Sequence, residues 1–143
     1  AIGYNAEARG YESLALGRGM AWGKEAFAVG EYASANAPYS MAIGNNVTAK
    51  GGRQLVIGRY NVNDVEGTKE PYHDGKYVFI VGNGDLWEGN SNAHTLDWDG
   101  NAWYAGSVEG TALILKSSTE GSSKRFKITV DDSGALSATE ITG

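Results

Sequence analysis

Over residues 1–60, apolar side chains alternate between the two faces of short predicted strands. Leu14 and Leu16 fall on one face and Ala15 on the other. The segments Phe27–Val29 and Met41–Ile43 repeat this arrangement, with alanine between two larger residues. Each strand therefore has a small apolar face and a large one, and we expect both to be buried. The small face suits the narrow interior of a roll, whereas the large face needs a further partner, for which a neighbouring chain is the simplest candidate.

Each of these strands ends in a glycine, and the glycines recur at nearly fixed intervals. The structural glycines are Gly3, Gly17, Gly30, Gly44 and Gly58, and only the step from Gly17 to Gly30 is one position shorter than the others. A fixed period this short is typical of a solenoid, in which each turn packs on the next. Small residues near the middle of each period predict two strands and two corners per turn, with glycine at the corners because it tolerates positive φ. Gly23 follows closely after Gly17, which places the missing residue of the shorter turn between them.

Beyond residue 60 the regular spacing is lost. Ile80–Gly82 repeats the pattern once more after a polar stretch, which predicts a final turn of the roll after an insertion. Asp-Gly at 99–100 predicts a hairpin, and residues 131–134 predict the turn of a second hairpin. We expect an all-β fold in which a parallel β-roll of about 14-residue turns precedes a small antiparallel β-module. The expected segments are 1–60 (β-roll), 61–110 (polar insertion, strands and hairpin) and 111–143 (C-terminal hairpin).

The composition indicates an elongated assembly. Glycine supplies 21 of 143 residues, roughly twice its usual share of about 7%, and small residues bury little apolar area each, so we expect self-association. The net charge of −5 argues against a nucleic-acid partner, which normally needs a basic face. There is no apolar run of about 18 residues for membrane insertion, and the absence of cysteine excludes disulfides and thiolate metal sites. Because the chain begins inside a repeat, we expect it to be part of a longer protein.

Residues 6–17, 32–44 and 47–58 resemble the head repeat of trimeric autotransporter adhesins. The shared motif in the first copy is Ala6-x-Ala8-x-Gly10 followed by Ser13-x-Ala15-x-Gly17. Later copies depart from it at Ala37 (usually Gly), Gln54 (usually Ser) and Val56 (usually Ala). The resemblance implies a left-handed parallel β-roll packed into an intertwined homotrimer. It also implies adhesion to surfaces and matrix proteins, with no catalytic residue to carry over.

Residues 80–106 look like a module of tail-fibre proteins in phages and prophages of Gram-positive gut bacteria. This resemblance implies a trimeric fibre component in the virion tail that binds a host cell-surface glycan or protein. Our leading hypothesis is therefore a structural, host-surface-binding segment of a phage tail fibre or receptor-binding protein. The alternatives are a trimeric adhesin head on the bacterial cell surface and a carbohydrate-binding module. A glycan-degrading fibre domain is the least favoured hypothesis.

Aromatic residues are the candidate ligand contacts, because Trp and Tyr supply flat apolar faces with a polar group. We expect contacts at Trp87, Trp98, Trp103 and Tyr104. Trp87 lies in a polar loop, and loops on a rigid scaffold commonly carry recognition. Trp98 and Trp103 flank the Asp-Gly turn, which predicts either a cross-strand pair or ligand contact.

We expect no enzyme activity, no metal and no cofactor. Carboxylates for a glycosidase pair are available, but their separation is not fixed by the sequence. These carboxylates are Asp85, Glu88, Asp97, Asp99 and Glu109. Alternation places His94 on the face opposite Asp97 and Asp99, so these three do not converge on a metal. His73 and Asp74 are an acid–base candidate that lacks an accompanying nucleophile in the sequence.

Overall fold

The computed structural model describes residues 1–64 and 75–141 of the chain. Every secondary-structure element assigned within these residues is a β-strand, which confirms the predicted all-β fold. The strands belong to two compact units, residues 1–106 and residues 107–143. Within the described residues, no helix has the length and hydropathy needed to cross a membrane.

The N-terminal unit is a β-roll whose successive turns pair in parallel. Its strands are β1 (Glu7–Ala8), β2 (Leu14–Ala21), β3 (Phe27–Ala35), β4 (Met41–Asn45), β5 (Thr48–Ala49), β6 (Leu55–Arg59) and β7 (Tyr77–Asn83). The register aligns Ala15 with Ala28, and Ala28 with Ala42. Neighbouring strands are thus offset by the same steps that separate the glycines. The predicted parallel solenoid is confirmed.

The interior of the roll is built from the small apolar face of each strand. Ala15, Ala28, Ala42 and Val56 form one fully buried column, and Ile80 continues it on β7. A second buried column on the opposite side of the roll contains Ala21, Ala35 and Ala49. Because these side chains are small, the two sides of each turn can approach closely and exclude water. The expectation that the small face lines the interior is therefore confirmed.

The repeat glycines allow the backbones of successive turns to approach one another. A Cβ built on Gly44 would overlap the carbonyl oxygen of Gly58, and one on Gly30 would overlap that of Gly44. Both residues also have positive φ, 145° at Gly44 and 120° at Gly30. Close approach and backbone conformation together exclude a side chain at these positions.

The corners of the roll contain the predicted glycines, but the left-handed residues beside them are of other types. The carbonyl groups of Gly10 and Gly23, for example, accept hydrogen bonds from the backbone N–H groups of Ser13 and Ala26 across the corner. One corner contains Asn5, Tyr32, Asn46 and Tyr60, and the other contains Glu12, Glu25, Tyr39 and Arg53, all with φ between 42° and 61°. Such left-handed residues cost roughly 1–2 kcal/mol each, which contacts between turns offset. For example, the Arg18 guanidinium lies 4.3 Å from the centre of the Tyr32 ring.

The shorter turn lacks a residue at the first of these corners. Arg18 lies beside Glu31, whereas Met20 lies beside Ser34, so the offset between the two strands grows by one position along this stretch. The register therefore shifts at Gly19, where the neighbouring turns have their left-handed residue. This position lies between Gly17 and Gly23, as the sequence predicts.

Strand β7 adds the predicted final turn to the roll, and an antiparallel hairpin follows it. Gly82 lies beside Gly58, although the polar insertion separates the two in sequence. The hairpin strands are β8 (Asn92–Asp97) and β9 (Ala102–Tyr104), with Gly100 at φ 85° in the turn between them. The Asp97 carboxylate accepts hydrogen bonds from the backbone N–H groups of Asp99 and Asn101 and fixes this turn. The first predicted hairpin is confirmed.

The C-terminal unit is a three-stranded antiparallel sheet of β10 (Leu113–Lys116), β11 (Arg125–Val130) and β12 (Leu136–Ile141). The turn between β11 and β12 is held by Asp131, whose carboxylate accepts from the backbone N–H groups of Ser133 and Ala135. The second predicted hairpin is therefore confirmed, with β10 as a third strand. The register places one set of apolar side chains on a single face of the sheet. This face contains Leu113, Leu115, Phe126, Ile128, Val130, Leu136 and Ala138.

Candidate functional site

The inner face of the roll continues beyond the last turn onto the β8–β9 hairpin. Register aligns Ile80 with Thr95, and Thr95 with Trp103. Paired residues in a sheet share a face, so all three side chains lie on the side that is the interior of the roll. Ile80 and Thr95 are buried, whereas Trp103 is 54% exposed. The roll interior thus becomes an open surface at Trp103.

A groove of about 530 Å³ lies at this end of the roll, and we call it the terminal groove. Its walls come from the chain just after the β6 corner, from β7, from the loop before β8 and from the hairpin. The lining residues are Val62, Tyr77, Asn83, Asn90, Ser91, Asn92, Thr95, Trp103 and Ala105. The groove therefore combines two aromatic rings with amide and hydroxyl groups, and none of its lining residues is charged.

Hydrogen bonds fix the polar rim of the terminal groove. The Ser91 hydroxyl donates to Asn83 Oδ1 at 2.6 Å, and the Ser91 backbone N–H donates to the carbonyl of Tyr60 at 2.9 Å. Asn92 Oδ1 accepts from the backbone N–H of Val62 at 2.9 Å. These bonds tie the loop before β8 to the chain that follows the roll corner. The rim is thus fixed by hydrogen bonds between separate segments of the chain.

A buried polar network positions Tyr77 at the edge of the groove. Gln54 is fully buried, and its Nε2 donates to Asp64 Oδ2 and to the Tyr77 carbonyl, both at 2.8 Å. Asp64 Oδ2 also accepts from the Tyr77 backbone N–H at 2.9 Å. In the preceding turn Ser40 occupies the position aligned with Gln54 and reaches only the carbonyl of Ala37. Sequence reasoning missed this network. The replacement of the usual Ser by Gln54 in the repeat was the signal that could have indicated it.

The four predicted aromatic contacts do not come together. Trp103 lines the terminal groove, but its neighbour Tyr104 lies on the opposite face of β9 and stacks on His94 at 4.3 Å between ring centres. Trp87 is 89% exposed in the turn between Asp85 and Gly89, outside the groove lining. Ligand contact at any of these residues stays a prediction.

The predicted cross-strand pair of Trp98 and Trp103 is wrong. Trp103 lies opposite Thr95, and β8 ends at Asp97, one residue before Trp98. Trp98 belongs to the turn because Asp97 already pairs with Asn101 through its backbone N–H. The tight Asp-Gly connection therefore leaves no strand position for Trp98.

Sequence reasoning also missed the asparagines of the groove. Asn83, Asn90 and Asn92 lie in a polar stretch that reads as a loop with turn residues. The sequence signal that could have identified them was the presence of three asparagines in one short polar stretch. Only the register of β7 with β8 shows that they face the same concavity as Trp103.

The carboxylates near the groove stabilise turns and have lowered pKa values. Backbone N–H groups of Glu88 and Trp87 donate to Asp85 and lower its pKa. The side-chain amide and backbone N–H of Asn101 lower the pKa of Asp97. A glycosidase general acid needs a raised pKa, so neither carboxylate suits that role.

Metal and acid–base candidates gain no support from the geometry. Within residues 1–64 and 75–141, no group of three or more His, Asp and Glu side chains is placed to hold a metal ion. The ring nitrogen Nδ1 of His94 donates to the carbonyl of Trp103 at 2.9 Å and is thereby occupied. His73 and Asp74 lie outside the described residues.

The large apolar face of the strands forms a continuous band across the sheet, which we call the apolar stripe. One row contains Leu14, Phe27, Met41, Leu55, Phe79, Leu96 and Ala102, and the other contains Leu16, Val29, Ile43, Ile57, Val81, His94 and Tyr104. None of these side chains is buried in the single chain, and Met41 is 46% exposed. Tyr104 therefore extends the apolar stripe and takes no part in the groove lining.

Comparison with known proteins supports the interpretation of the first turns. Residues 1–19 and 23–46 match two copies of the YadA head domain repeat. No curated protein and no solved structure gives a significant match to the chain. The matched residues include strands β1, β3 and β4 and most of β2. This finding favours the adhesin hypothesis and gives no specific support to the phage tail-fibre hypothesis. Residues 1–46 of the chain are thus similar, apart from a short gap, to two YadA head repeats.

Proposed function

We propose that this chain is a surface-binding segment of a trimeric adhesin head. In this proposal the roll is the scaffold, the apolar stripe joins three copies of the chain, and the terminal groove contacts the surface. The observation that carries the proposal is the apolar stripe, because it runs unbroken across the sheet while its side chains stay partly exposed. An extended exposed apolar patch marks an interaction site in a water-soluble protein.

The stripe suits packing between identical chains. Its rows keep the same register through every turn, so a second copy would present equivalent ridges of side chains at each level. Branched aliphatic residues such as Ile43 and Ile57 lie beside each other and offer area that the single chain cannot cover. The similarity to YadA head repeats favours three copies and an extracellular or cell-surface location.

A phage tail fibre is the second candidate, favoured by the resemblance of residues 80–106 to tail-fibre modules. Both candidates require a trimer that binds a surface, and they differ in the domains attached to it. The neighbouring sequence of the full-length protein distinguishes them. A membrane-anchor barrel downstream would indicate an adhesin, and a tail-attachment domain upstream would indicate a phage fibre.

The trimer is tested by the mass of the protein in solution. Sedimentation equilibrium at micromolar concentration should give about three times the 15.1 kDa of one chain. Ile43→Glu places a charge in the stripe and should shift the mass to that of a monomer, because an unpaired charge at an apolar interface is costly. Leu86→Glu is the matched control, since Leu86 is exposed in a loop outside the stripe.

Surface binding is tested with the same variants. The wild-type chain and Leu86→Glu should adhere to cells or matrix-coated surfaces, and Ile43→Glu should adhere less because it lacks multivalent contact. Circular dichroism of Ile43→Glu should show an unchanged strand signal. A monodisperse wild-type monomer at micromolar concentration would overturn the trimer, and a wild-type trimer without adhesion would overturn the surface-binding role.

A further inference from the structure

We infer that the terminal groove binds a neutral glycan, with Trp103 stacking on a sugar ring; this inference rests on the proposed surface-binding function. The groove volume of about 530 Å³ lies within the range of about 300–1,000 Å³ that is common for small-ligand sites. The site is also held by backbone pairing and by side-chain bonds between separate segments. A preformed rim reduces the ordering cost of binding.

Trp103 presents a fixed apolar surface to the groove. Its backbone pairs with Thr95, and its carbonyl accepts a hydrogen bond from His94 on the far side of the strand. The indole is half exposed even though it lies on the same face as the buried Ile80 and Thr95. The C–H face of a pyranose ring is apolar and flat enough to lie on an indole, and the indole N–H remains available to a hydroxyl group.

The polar groups of the groove match the chemistry of sugar hydroxyls. A hydroxyl both donates and accepts, and so does a carboxamide. The Asn83 side-chain carbonyl oxygen accepts from Ser91, and the two N–H groups of the same carboxamide, which have no hydrogen-bond partner among the described residues, remain for a ligand. Asn90 is exposed, and among the described residues its side chain has no hydrogen-bond partner. Asn83 and Asn90 therefore supply donors and an acceptor beside the Trp103 ring.

The absence of charge in the lining selects a neutral ligand. An acidic sugar would lose hydration in the groove without meeting a cation among the lining residues, which disfavours its binding. The nearby Lys76 ammonium lies 5.0 Å from the centre of the Tyr77 ring and is outside the lining. The chain also carries a net charge of −5, which repels anionic ligands.

A peptide is the competing class of ligand, and the sheet edge argues against it. An extended peptide commonly adds a strand to an exposed edge and gains affinity from backbone hydrogen bonds. The edge strand β9 spans only three residues, Ala102–Tyr104. The edge therefore offers little backbone to a peptide.

The test measures binding of oligosaccharides to the full chain in its assembled state. The probes are neutral oligosaccharides of glucose, galactose and N-acetylglucosamine, and matched sialylated and uronic-acid oligosaccharides. Titration calorimetry and a glycan array should show binding of at least one neutral probe and no preference for the acidic ones. Trp103→Ala should weaken binding about tenfold or more, because it removes the apolar face on which the sugar ring lies.

Two further variants separate loss of binding from loss of structure. Asn90→Ala removes an exposed side chain without internal hydrogen bonds among the described residues, and it should weaken binding severalfold at unchanged melting temperature. Trp22→Ala is the matched control, because this tryptophan is about as exposed as Trp103 but lies outside the groove lining. It should leave the affinity unchanged.

The outcomes distinguish this inference from the proposed function. Preference for acidic probes, or wild-type affinity in both Trp103→Ala and Asn90→Ala, would overturn the neutral-glycan site. If the wild-type chain adheres to cells but binds no oligosaccharide, the ligand class is wrong and surface binding stands. If it neither adheres nor binds oligosaccharides, both proposals fail.

Discussion

The two compact units, residues 1–106 and residues 107–143, differ in how far their apolar side chains are buried. In the first unit alanines such as Ala28 and Ala42 are fully buried, because stacked turns enclose a narrow interior. In the second unit the larger side chain of Leu113 is 58% exposed on a sheet of three strands. The difference shows that side chains are buried here because the backbone of the roll encloses them. Larger apolar side chains on an open sheet do not form a core by themselves.

The comparison also indicates where each unit obtains its stability. Each turn of the roll gains from its neighbours, so many small contributions accumulate along the stack. A three-stranded sheet needs its apolar face covered to be stable by itself. We therefore expect substitutions in the roll interior to have large effects on the free energy of unfolding, and equivalent substitutions in the C-terminal sheet to have small ones.

The largest expected effect comes from adding a single methyl group to a glycine of the roll. Gly44→Ala should destabilise the chain by about 3 kcal/mol or more, because the new Cβ would overlap the carbonyl oxygen of Gly58 and neither backbone can retreat. Gly134→Ala is the matched control in the C-terminal unit. Gly134 also has positive φ, at 83°, but nothing lies within 4 Å of its added Cβ.

The control should cost roughly 1–2 kcal/mol, which is the cost of the left-handed backbone alone. Urea unfolding followed by circular dichroism measures both variants. The difference between them reports the close approach of the turns together with the more extreme φ of Gly44. Equal destabilisation by Gly44→Ala and Gly134→Ala would show that the close approach of the turns at Gly44 contributes nothing and that this glycine is needed only for its backbone conformation.

A smaller effect is expected from removing one methyl group in each unit. Ile80→Val should cost about 1 kcal/mol, since Ile80 is the largest fully buried side chain in the described core. Ile114→Val makes the same chemical change at a half-exposed position of β10 and should change the free energy of unfolding very little. Differential scanning calorimetry of both variants measures the change in stability that each substitution causes. A loss at Ile114 as large as that at Ile80 would mean that another surface covers the C-terminal sheet under the conditions of measurement.

The sequence predicts the roll well because its signal repeats. The first turns place alanine or valine inside and end each strand with a repeat glycine, so the spacing alone gives the register of Ala15, Ala28 and Ala42. The same logic finds the last turn at Ile80–Gly82. The left-handed positions at the corners escape prediction because the residues there, such as Tyr32 and Arg53, share no chemistry and are held by contacts between turns.

The candidate site is less predictable because it depends on one register that does not repeat. Trp103 and Tyr104 are neighbours in sequence, yet β-strand alternation sends one to the groove and the other to the apolar stripe. The pairing of Thr95 with Trp103 is the observation that places Trp103 on the groove side and Tyr104 on the side of the apolar stripe. The groove also depends on Gln54, which reaches across the insertion to Asp64 and Tyr77 through a network without a precedent in the earlier turns.

The smallest expected effect is a local response of two turns to acid. In the C-terminal unit the Ser133 hydroxyl and the backbone N–H groups of Ala135 and Ser133 lower the pKa of Asp131 below its ordinary 3.8. In the N-terminal unit the Asn101 amide does the same for Asp97. A lowered pKa in the folded state means that the ionised carboxylate stabilises its turn above the ordinary pKa, and that this contribution is lost as the pH falls through the folded value.

Amide hydrogen exchange of Gly134 and Gly100 between about pH 5 and pH 2, corrected for intrinsic rates, measures the two turns separately. Protection at both glycines should decrease as the pH falls. Asp131→Asn should abolish the pH dependence at Gly134 and leave Gly100 unchanged, and Asp97→Asn should do the reverse. If either substitution altered both turns, the two units would not respond independently. The contrast between a self-enclosed roll and an open sheet would then have to include a coupling between them.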